Sequence, residues 1–282
     1  MSANSKIEWC EHTFNPIWGC IEVSPACDNC YARTFANRVG QNVWGPAATT
    51  ERRTFGDKHW AEPLKWNRDA EAAGTRARVF CASMADVFEQ HPTVERERQR
   101  LWPLITSTPH LDWLLLTKRP QNITRMVPKG WLEWPPFNVW YGTTVENQHY
   151  ADQRIPILLD VPAAVRFLSM EPLLGPVNLL WHGSIEDQRP TEWLTGRPRI
   201  DWVITGGESG HGSRPADPNW YRSLRDQCEA AVVAFHFKQW GDFDEHGKRV
   251  GKKAAGRLLD GRTWDEFPAP RPAGPAAEGV GA

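Results

Sequence analysis

The sequence feature that most constrains the fold is a series of short apolar segments, each followed directly by small or polar residues. Such runs are typical of strands that are buried on both faces, as in a parallel sheet. Helix-like stretches separate them at intervals of roughly 25–35 residues, which indicates βα units. The six segments are 79–84, 113–116, 139–142, 165–169, 202–205 and 234–238. With one more strand before or near the first cysteines, the sequence predicts an α/β fold that is a complete or partial parallel-stranded (β/α) barrel.

The length and composition of the chain fit a single globular domain. Its 282 residues are 40% hydrophobic and 24% charged, and residues 94–107, 147–160 and 219–231 have the pattern of helices. We expect one α/β barrel domain over residues 1–267, which includes an N-terminal cysteine loop. The cysteine loop is predicted at residues 10–32 and a polar insertion at 181–198. Residues 268–282, which are rich in Pro, Ala and Gly, are predicted to form a disordered tail.

Polar residues cluster at the ends of the predicted strands. In a parallel barrel these ends form the C-terminal mouth, where the active site belongs. A helix cap or a loop position would explain any one of these residues equally well, but the pattern repeats at six strands. The mouth set is Ser83, Asp86, Thr117, Lys118, Arg119, Thr143, Glu146, Glu171, Glu208, Lys238 and Gln239.

The six cysteines are best explained as thiols rather than disulfides. The sequence contains no stretch of about 18 uncharged apolar residues, and its polar N-terminus lacks the apolar core of a signal peptide. We therefore expect a cytoplasmic protein, in which cysteines stay reduced and act as metal ligands, catalytic thiols or core residues.

Cys20, Cys27 and Cys30 form a C-x6-C-x2-C pattern. A C-x2-C pair turns two thiolates towards one metal or cluster, and a third cysteine seven residues earlier can reach the same centre. The favoured interpretation is a 4Fe-4S cluster with three cysteine ligands and one open iron. A structural zinc site with Cys10 or His12 as the fourth ligand, a redox C-x2-C pair, and unliganded core cysteines remain alternatives.

Nine short motifs identify a resemblance that covers nearly the whole chain. They include LLTKRP at 115–120 and LSMEPLLG at 168–175, and they resemble the motifs of a phage and bacterial three-Cys-motif protein family of unknown function. The other motifs lie at 9–16, 19–20, 27–32, 142–146, 206–210, 238–241 and 256–261.

The cysteine loop is also similar to that of radical S-adenosylmethionine (SAM) enzymes. That resemblance implies a partial α/β barrel whose cluster binds SAM at its open iron. It implies reductive cleavage of SAM to a 5′-deoxyadenosyl radical that abstracts hydrogen from a substrate. The usual spacing is C-x3-C-x2-C, whereas the first gap here is six residues. Asn29 stands where an aromatic residue is usual, and Tyr31, just after the last cysteine, would cover the adenine instead.

The radical SAM resemblance implies cofactor-binding roles for mouth residues. Ser83 and Asp86 would hold the amino group of SAM, and Lys118 or Arg119 would meet its carboxylate or a substrate phosphate. The residues implied to contact the ribose are Thr143, Thr144 and Glu146. The residues implied to let the backbone approach the adenine or the substrate are Gly206, Gly207 and Glu208.

The resulting functional hypothesis is a radical SAM iron–sulfur enzyme with an unknown substrate and no assigned catalytic residue. A nucleic acid or nucleotide is the preferred substrate, because some of the 16 tryptophans could stack bases and basic residues could contact phosphates. An electron donor such as flavodoxin or ferredoxin would be its partner. The net charge of −1 argues against a protein that simply coats nucleic acid. The rival hypotheses are a zinc-stabilised, non-catalytic binding protein and an iron–sulfur protein without SAM chemistry.

Overall fold

The computed structural model describes residues 5–180 and 192–269, and a seven-stranded parallel sheet forms its centre. A separate two-stranded antiparallel sheet, β2 with β3, lies outside this sheet. The strands are β1 (His12–Thr13), β2 (Ile17–Trp18), β3 (Arg53–Thr54), β4 (Ala77–Cys81), β5 (Leu111–Thr117), β6 (Val139–Thr144), β7 (Val165–Met170), β8 (Trp202–Gly206) and β9 (Ala234–Gln239).

The helices lie between the strands, as the βα pattern predicts. They are α1 (Tyr31–Arg38), α2 (Asp57–Trp60), α3 (Glu62–Ala72), α4 (Pro92–Thr106), α5 (Ile123–Met126), α6 (Lys129–Glu133), α7 (Gln148–Leu159), α8 (Pro218–Ala231) and α9 (Lys252–Ala255). Three of them begin at residues whose side chains accept a hydrogen bond from the first turn: His91 before α4, Asn147 before α7 and Asp217 before α8. The three helices expected from the sequence are thus confirmed.

The parallel sheet has the strand order β1-β4-β5-β6-β7-β8-β9. Every neighbouring pair in it is parallel, and consecutive strands lie side by side. Among the strands of the described residues, β1 pairs only with β4 and β9 only with β8, so the curled sheet stays open between its two end strands. The free edge of β9 is covered instead by residues 264–266, which form an isolated antiparallel bridge between His236 and Asp265. The fold is therefore a partial barrel, which confirms the prediction of a complete or partial parallel (β/α) barrel.

The two faces of the sheet carry different apolar clusters because strand residues alternate in direction. On β4, for example, Val79 packs with the outer helices, whereas Phe80 belongs to a cluster on the concave side. In that inner cluster the ring centroids of Trp9 and Phe80 are 4.6 Å apart, and those of Trp9 and Trp202 are 6.3 Å apart. These rings fill the concave side near the N-terminal ends of the strands, which leaves the C-terminal ends for a site.

Parts of the chain differ from the sequence expectations or lie outside the described residues. The two-stranded β2–β3 sheet and helices α1 to α3 were not predicted. The expected insertion at 181–198 falls on residues 181–191, which are outside the described part, and on 192–198, where Trp193 and Leu194 are buried. The expected tail is outside the described part from residue 270 onwards. Among the helices of the described ranges, none is both long and apolar enough to cross a membrane.

His236 lies on the concave side of β9 and is 0% exposed. Its ring packs edge-on against Trp202, with centroids 6.1 Å apart, and neither ring nitrogen makes a hydrogen bond within the described residues. Burial lowers the pKa of His236 to about 4; the nearby Asp265 opposes this shift, while Arg257, Lys238 and Arg78 reinforce it. The folded protein therefore keeps this imidazole neutral at neutral pH.

This depressed pKa predicts acid sensitivity. Between the unfolded pKa of roughly 6.5 and the folded value of about 4, the unfolded chain binds the extra proton, so stability falls as the pH falls. We expect His236 to contribute a loss of about 3 kcal/mol in unfolding free energy below that window. Urea denaturation at pH 7 and pH 4.5 should show a smaller pH effect in His236→Phe. The exposed control His246→Gln should retain the full effect.

Candidate metal centre at the barrel mouth

The cysteine loop begins beside the C-terminal end of β4. The backbone N–H of Gly19 donates to the carbonyl of Met84 at 3.0 Å. Gly19 has a φ of +118°, and a β-carbon there would stand 2.3 Å from the Val43 carbonyl oxygen, so only glycine allows this close approach. Cys20, the next residue, is therefore fixed at the mouth of the barrel, where the sequence places it.

The other two cysteines lie in a short turn that leads into α1. The N–H of Cys27 donates to Ser24 at 2.8 Å, and the N–H of Cys30 donates to Cys27 at 3.2 Å. All three cysteines are free thiols. Burial raises the pKa of Cys20 to about 12, although the nearby Arg119 guanidinium opposes the shift. A metal or cluster would have to displace that proton on binding.

Arg119, which follows β5, reaches the first cysteine. Its Nη1 lies 2.7 Å from Asp86 Oδ2 and 3.8 Å from Cys20 Sγ, and its Nη2 donates to the Ile21 carbonyl at 2.9 Å. Asp86 also accepts hydrogen bonds from the Thr117 hydroxyl at 2.8 and 2.9 Å. Since Asp86 is only 5% exposed, its carboxylate serves mainly to hold this guanidinium beside the cysteine loop.

A second arginine holds the opposite end of the loop. Arg214 pairs with Glu208 at 2.7 Å and with Asp28 at 3.0 Å, and it donates to the Pro25 carbonyl at 2.9 Å. Glu208 also accepts from Asn29 Nδ2 at 3.0 Å. These hydrogen bonds hold the pKa of the Glu208 carboxyl below its usual value despite burial. The two residues between Cys27 and Cys30 are thus tied to the segment that follows β8.

Asn15 and Ser83 join the mouth to α1. Asn15 Nδ2 donates to Ser83 Oγ at 3.0 Å, and Asn15 Oδ1 accepts from the Met84 N–H at 2.7 Å. The Tyr31 hydroxyl donates to the Ser83 carbonyl at 2.7 Å. Tyr31 is 60% exposed in the open mouth, and the hydrogen bond to Ser83 fixes its hydroxyl end. Its phenol ring therefore lies at the mouth, next to the cysteine loop.

A charged pair lies inside the mouth, at the ends of β7 and β9. Lys238 Nζ is 3.3 Å from Glu171 Oε2. A β-carbon on Gly206 would stand 2.7 Å from Glu171 Oε1, so the missing side chain leaves room for this carboxylate. Both charged groups are partly accessible, and they can present a donor and an acceptor to a bound molecule.

The predicted cofactor-binding residues separate into two groups. Ser83, Asp86, Gly206 and Glu208 lie at the mouth, as described above. The Lys118 backbone N–H donates to Asp86, and its ammonium has no hydrogen-bond or ion-pair partner within residues 5–180 and 192–269.

The other predicted residues are held away from the mouth or have structural contacts. Thr143 shares the helix-covered face of β6 with Tyr141, and its hydroxyl donates to the Thr117 carbonyl at 3.0 Å. Glu146 is 0% exposed and pairs with Arg154 of α7 at 2.8 Å. A β-carbon on Gly207 would stand 1.8 Å from the Trp240 carbonyl oxygen, so backbone packing alone requires this glycine.

The two candidate fourth ligands for zinc make other contacts. Cys10 Sγ lies 3.5 Å from Ser5 Oγ within the inner apolar cluster, and burial raises its pKa to about 11. The His12 ring stacks on Trp66 with centroids 4.4 Å apart. In the described part of the chain, no three His, Cys, Asp or Glu side chains are placed to hold one metal ion together.

Three residues that organise the mouth and the cysteine loop escaped the sequence-based prediction: Asn15, which binds Ser83 and Met84, and Asn29 and Arg214, which bind Glu208. Asn15 and Asn29 carry a weak signal, since both are polar residues close to the cysteines in sequence. Arg214 carries none, because it is separated from Asp28 by 186 positions and only the fold brings them together.

A family model described as "Protein of unknown function (DUF5131)" matches residues 4–268. A search of curated proteins finds no significant match.

Among solved structures, several forms of spore photoproduct lyase are similar at low identity. A double mutant with bound AdoMet and dinucleoside spore photoproduct gives 13% identity and a TM-score of 0.42, covering 80% of this chain and 54% of that one. The lyase complexed with dinucleoside spore photoproduct gives 12% identity and a TM-score of 0.42, covering 79% and 62%. A single mutant with dinucleoside spore photoproduct gives 15% and 0.42, covering 88% and 61%. The chain thus spans less than two thirds of these lyase chains.

Proposed function

We propose that this chain, which belongs to the DUF5131 family of proteins of unknown function, is an iron–sulfur enzyme of the radical SAM type. One observation carries the proposal: three free thiols share a loop at the C-terminal mouth of a partial parallel barrel, and two buried or half-buried arginines hold that loop. An active site belongs at that end of such a barrel.

The donor set fits a cluster better than a single ion. Thiolates are the usual ligands of a 4Fe-4S cluster, and the three cysteines would leave one iron without a protein ligand. A structural zinc ion would need a fourth protein ligand, and the two candidates make contacts elsewhere, Cys10 with Ser5 and His12 with Trp66. With SAM at the open iron, such a cluster supplies on one-electron reduction a carbon radical that can abstract hydrogen.

The mouth residues would divide the remaining work. Asp86 and Glu208 hold the arginines that position the cysteine loop. Lys118, whose ammonium is unpaired within the described ranges, would meet the carboxylate of SAM, and Ser83 would lie beside it. Tyr31 supplies an aromatic face at the mouth for the adenine. The charged pair inside the mouth would contact the substrate, for which a nucleic acid or nucleotide is our candidate, and ferredoxin or flavodoxin would supply the electron.

Anaerobic purification of the full chain tests this proposal. We expect a brown protein with a broad band near roughly 400 nm, containing about four irons and four sulfides per chain and no zinc. After reduction with dithionite, added SAM should be converted to 5′-deoxyadenosine, measured by chromatography.

The alternative results discriminate among the hypotheses. A colourless protein with one zinc per chain would contradict the radical SAM proposal and support the zinc-stabilised binding protein. An intact cluster that yields no 5′-deoxyadenosine would favour an iron–sulfur protein without SAM chemistry. A sample that receives SAM but no dithionite is the control for SAM cleavage that does not depend on reduction of the cluster.

A further inference from the structure

A partly exposed group of aromatic rings and one arginine, which we call the stacking platform, lies beside the mouth; Phe35 and Arg53 are exposed, and Trp18 and Phe55 are half-buried. It consists of Trp18, Phe35, Arg53 and Phe55. The Trp18 ring centroid is 5.8 Å from that of Phe35 and 5.7 Å from that of Phe55. The Arg53 guanidinium lies over Trp18 at 4.8 Å and over Phe55 at 5.2 Å. The platform therefore offers two kinds of flat surface, an aromatic ring and a guanidinium plane.

The platform adjoins the cysteine loop in space as well as in sequence. Trp18 precedes Cys20 by two residues, and α1, which carries Phe35, begins directly after Cys30. Trp18 and Cys30 also pack against the same small apolar cluster, formed by Ala32, Ala36, Val43 and Met84. A ligand lying on the platform would therefore extend to the rim of the proposed reaction centre.

Exposure distinguishes the platform from ordinary core packing. Helix α1 buries Ala32 and Ala36, yet it leaves Phe35 45% exposed on its outer side. Arg53 is exposed, and its guanidinium has no carboxylate or hydrogen-bond partner within the described ranges. Its charge therefore remains available to an anionic ligand.

The local charge is also suited to phosphate. Of the five basic residues between 31 and 60, Arg33 pairs with Glu22 and Arg52 is buried against Glu89, while Arg38, Arg53 and Lys58 make no ion pair within the described residues. Arg38 stands three residues after Phe35 on α1, so the two side chains are neighbours on one helix face. Arg38 is exposed and likewise unpaired in the described part of the chain. Aromatic rings beside unpaired arginines are the combination by which proteins bind single strands, through stacked bases and phosphate contacts.

We propose that the stacking platform binds single-stranded nucleic acid, with bases on Phe35 and Arg53 and phosphates near Arg38 and Arg53. The inference rests on the proposed function only in placing this strand at the entrance to the reaction centre; the binding itself needs no cluster. It names the substrate class that the mouth would take.

Fluorescence anisotropy with the metal-free full chain tests the platform directly. The probes are fluorescein-labelled 12-nucleotide DNA and RNA single strands of one sequence, and the DNA duplex of that sequence. We expect the chain to bind at least one single strand more tightly than the duplex, with affinity falling between about 50 and 200 mM salt. The DNA and RNA arms show which sugar the site prefers. Binding that is no tighter to either single strand than to the duplex would overturn the proposal.

Matched variants separate stacking from packing. Phe35→Leu keeps apolar bulk but removes the aromatic face, so affinity should fall about tenfold, whereas Phe35→Trp should retain it. Arg53→Ala should also cause about a tenfold loss and a shallower salt dependence. Trp134→Ala is the control, because Trp134 is 82% exposed and precedes the N-terminal end of β6, whereas the mouth lies at the C-terminal ends. Wild-type affinity in Phe35→Leu and Arg53→Ala, with circular dichroism unchanged, would overturn the proposal even if the cluster is present.

Discussion

Replacing Cys20, Cys27 or Cys30 by serine is expected to abolish iron binding, whereas replacing Cys10 should leave it intact. Each of the three supplies one thiolate, and a hydroxyl is a poor ligand for this iron, so each single change should reduce iron and sulfide from about four per chain to near zero. The visible band near roughly 400 nm should disappear with them. Iron analysis and the visible spectrum of anaerobically purified protein measure the effect.

Cys10 is the matched control because it is a buried thiol outside the segment from Cys20 to Cys30. Its pKa of about 11, raised by burial, and its contact with Ser5 describe a protonated thiol within the inner apolar cluster. Cys10→Ser should therefore keep the full iron content if the protein folds, which circular dichroism would show. Loss of iron from a folded Cys10→Ser protein would instead mean a closed site with four cysteines, and an open iron for SAM would then be excluded.

The fold was predictable because its information is local. Each apolar segment is short, three of the following helices have their own pattern and cap, and strands that follow one another in sequence are most often neighbours in the sheet. What the sequence left open was whether the barrel closes. That depends on whether the first and last strands pair, and a first strand of two residues, β1 (His12–Thr13), gives almost no sequence signal. The two-stranded β2–β3 sheet was missed for the same reason, since each of its strands also has two residues.

The candidate site was only partly predictable. The cysteine spacing and the polar strand ends located the mouth, but they could not show which polar residues contact one another. Asp86, predicted to bind a cofactor, also pairs with Arg119, and Thr143 lies on the helix-covered face of β6. Neighbouring residues of a strand point to opposite faces of the sheet. Because these strands are apolar on both faces, their sequences do not show which residues face the mouth. Arg214 reaches Asp28 only through the folded chain, so no local pattern could have identified it.

Arg119→Met is expected to destabilise the metal-free protein by about 3–5 kcal/mol. The change would leave the Asp86 carboxylate buried, with its hydroxyl and backbone donors but without its countercharge. It would also remove the hydrogen bond to the Ile21 carbonyl that fixes the chain just after Cys20. The unfolding free energy of Arg119→Lys should lie between those of wild type and Arg119→Met. A lysine ammonium keeps the charge but cannot reach Asp86, Cys20 and Ile21 together. Urea denaturation measures these differences.

A double variant separates the stabilising role of Arg119 from its role in positioning the loop. In Asp86→Asn/Arg119→Met the buried charge is gone, so most of the lost stability should return. The Ile21 anchor is still missing, so iron should be released to a chelator faster than from wild type in both the single and the double variant. If the double variant held iron as firmly as wild type, Arg119 would be no more than the counter-ion of Asp86. Faster release at restored stability would instead show that the guanidinium holds Cys20 in its ligating position.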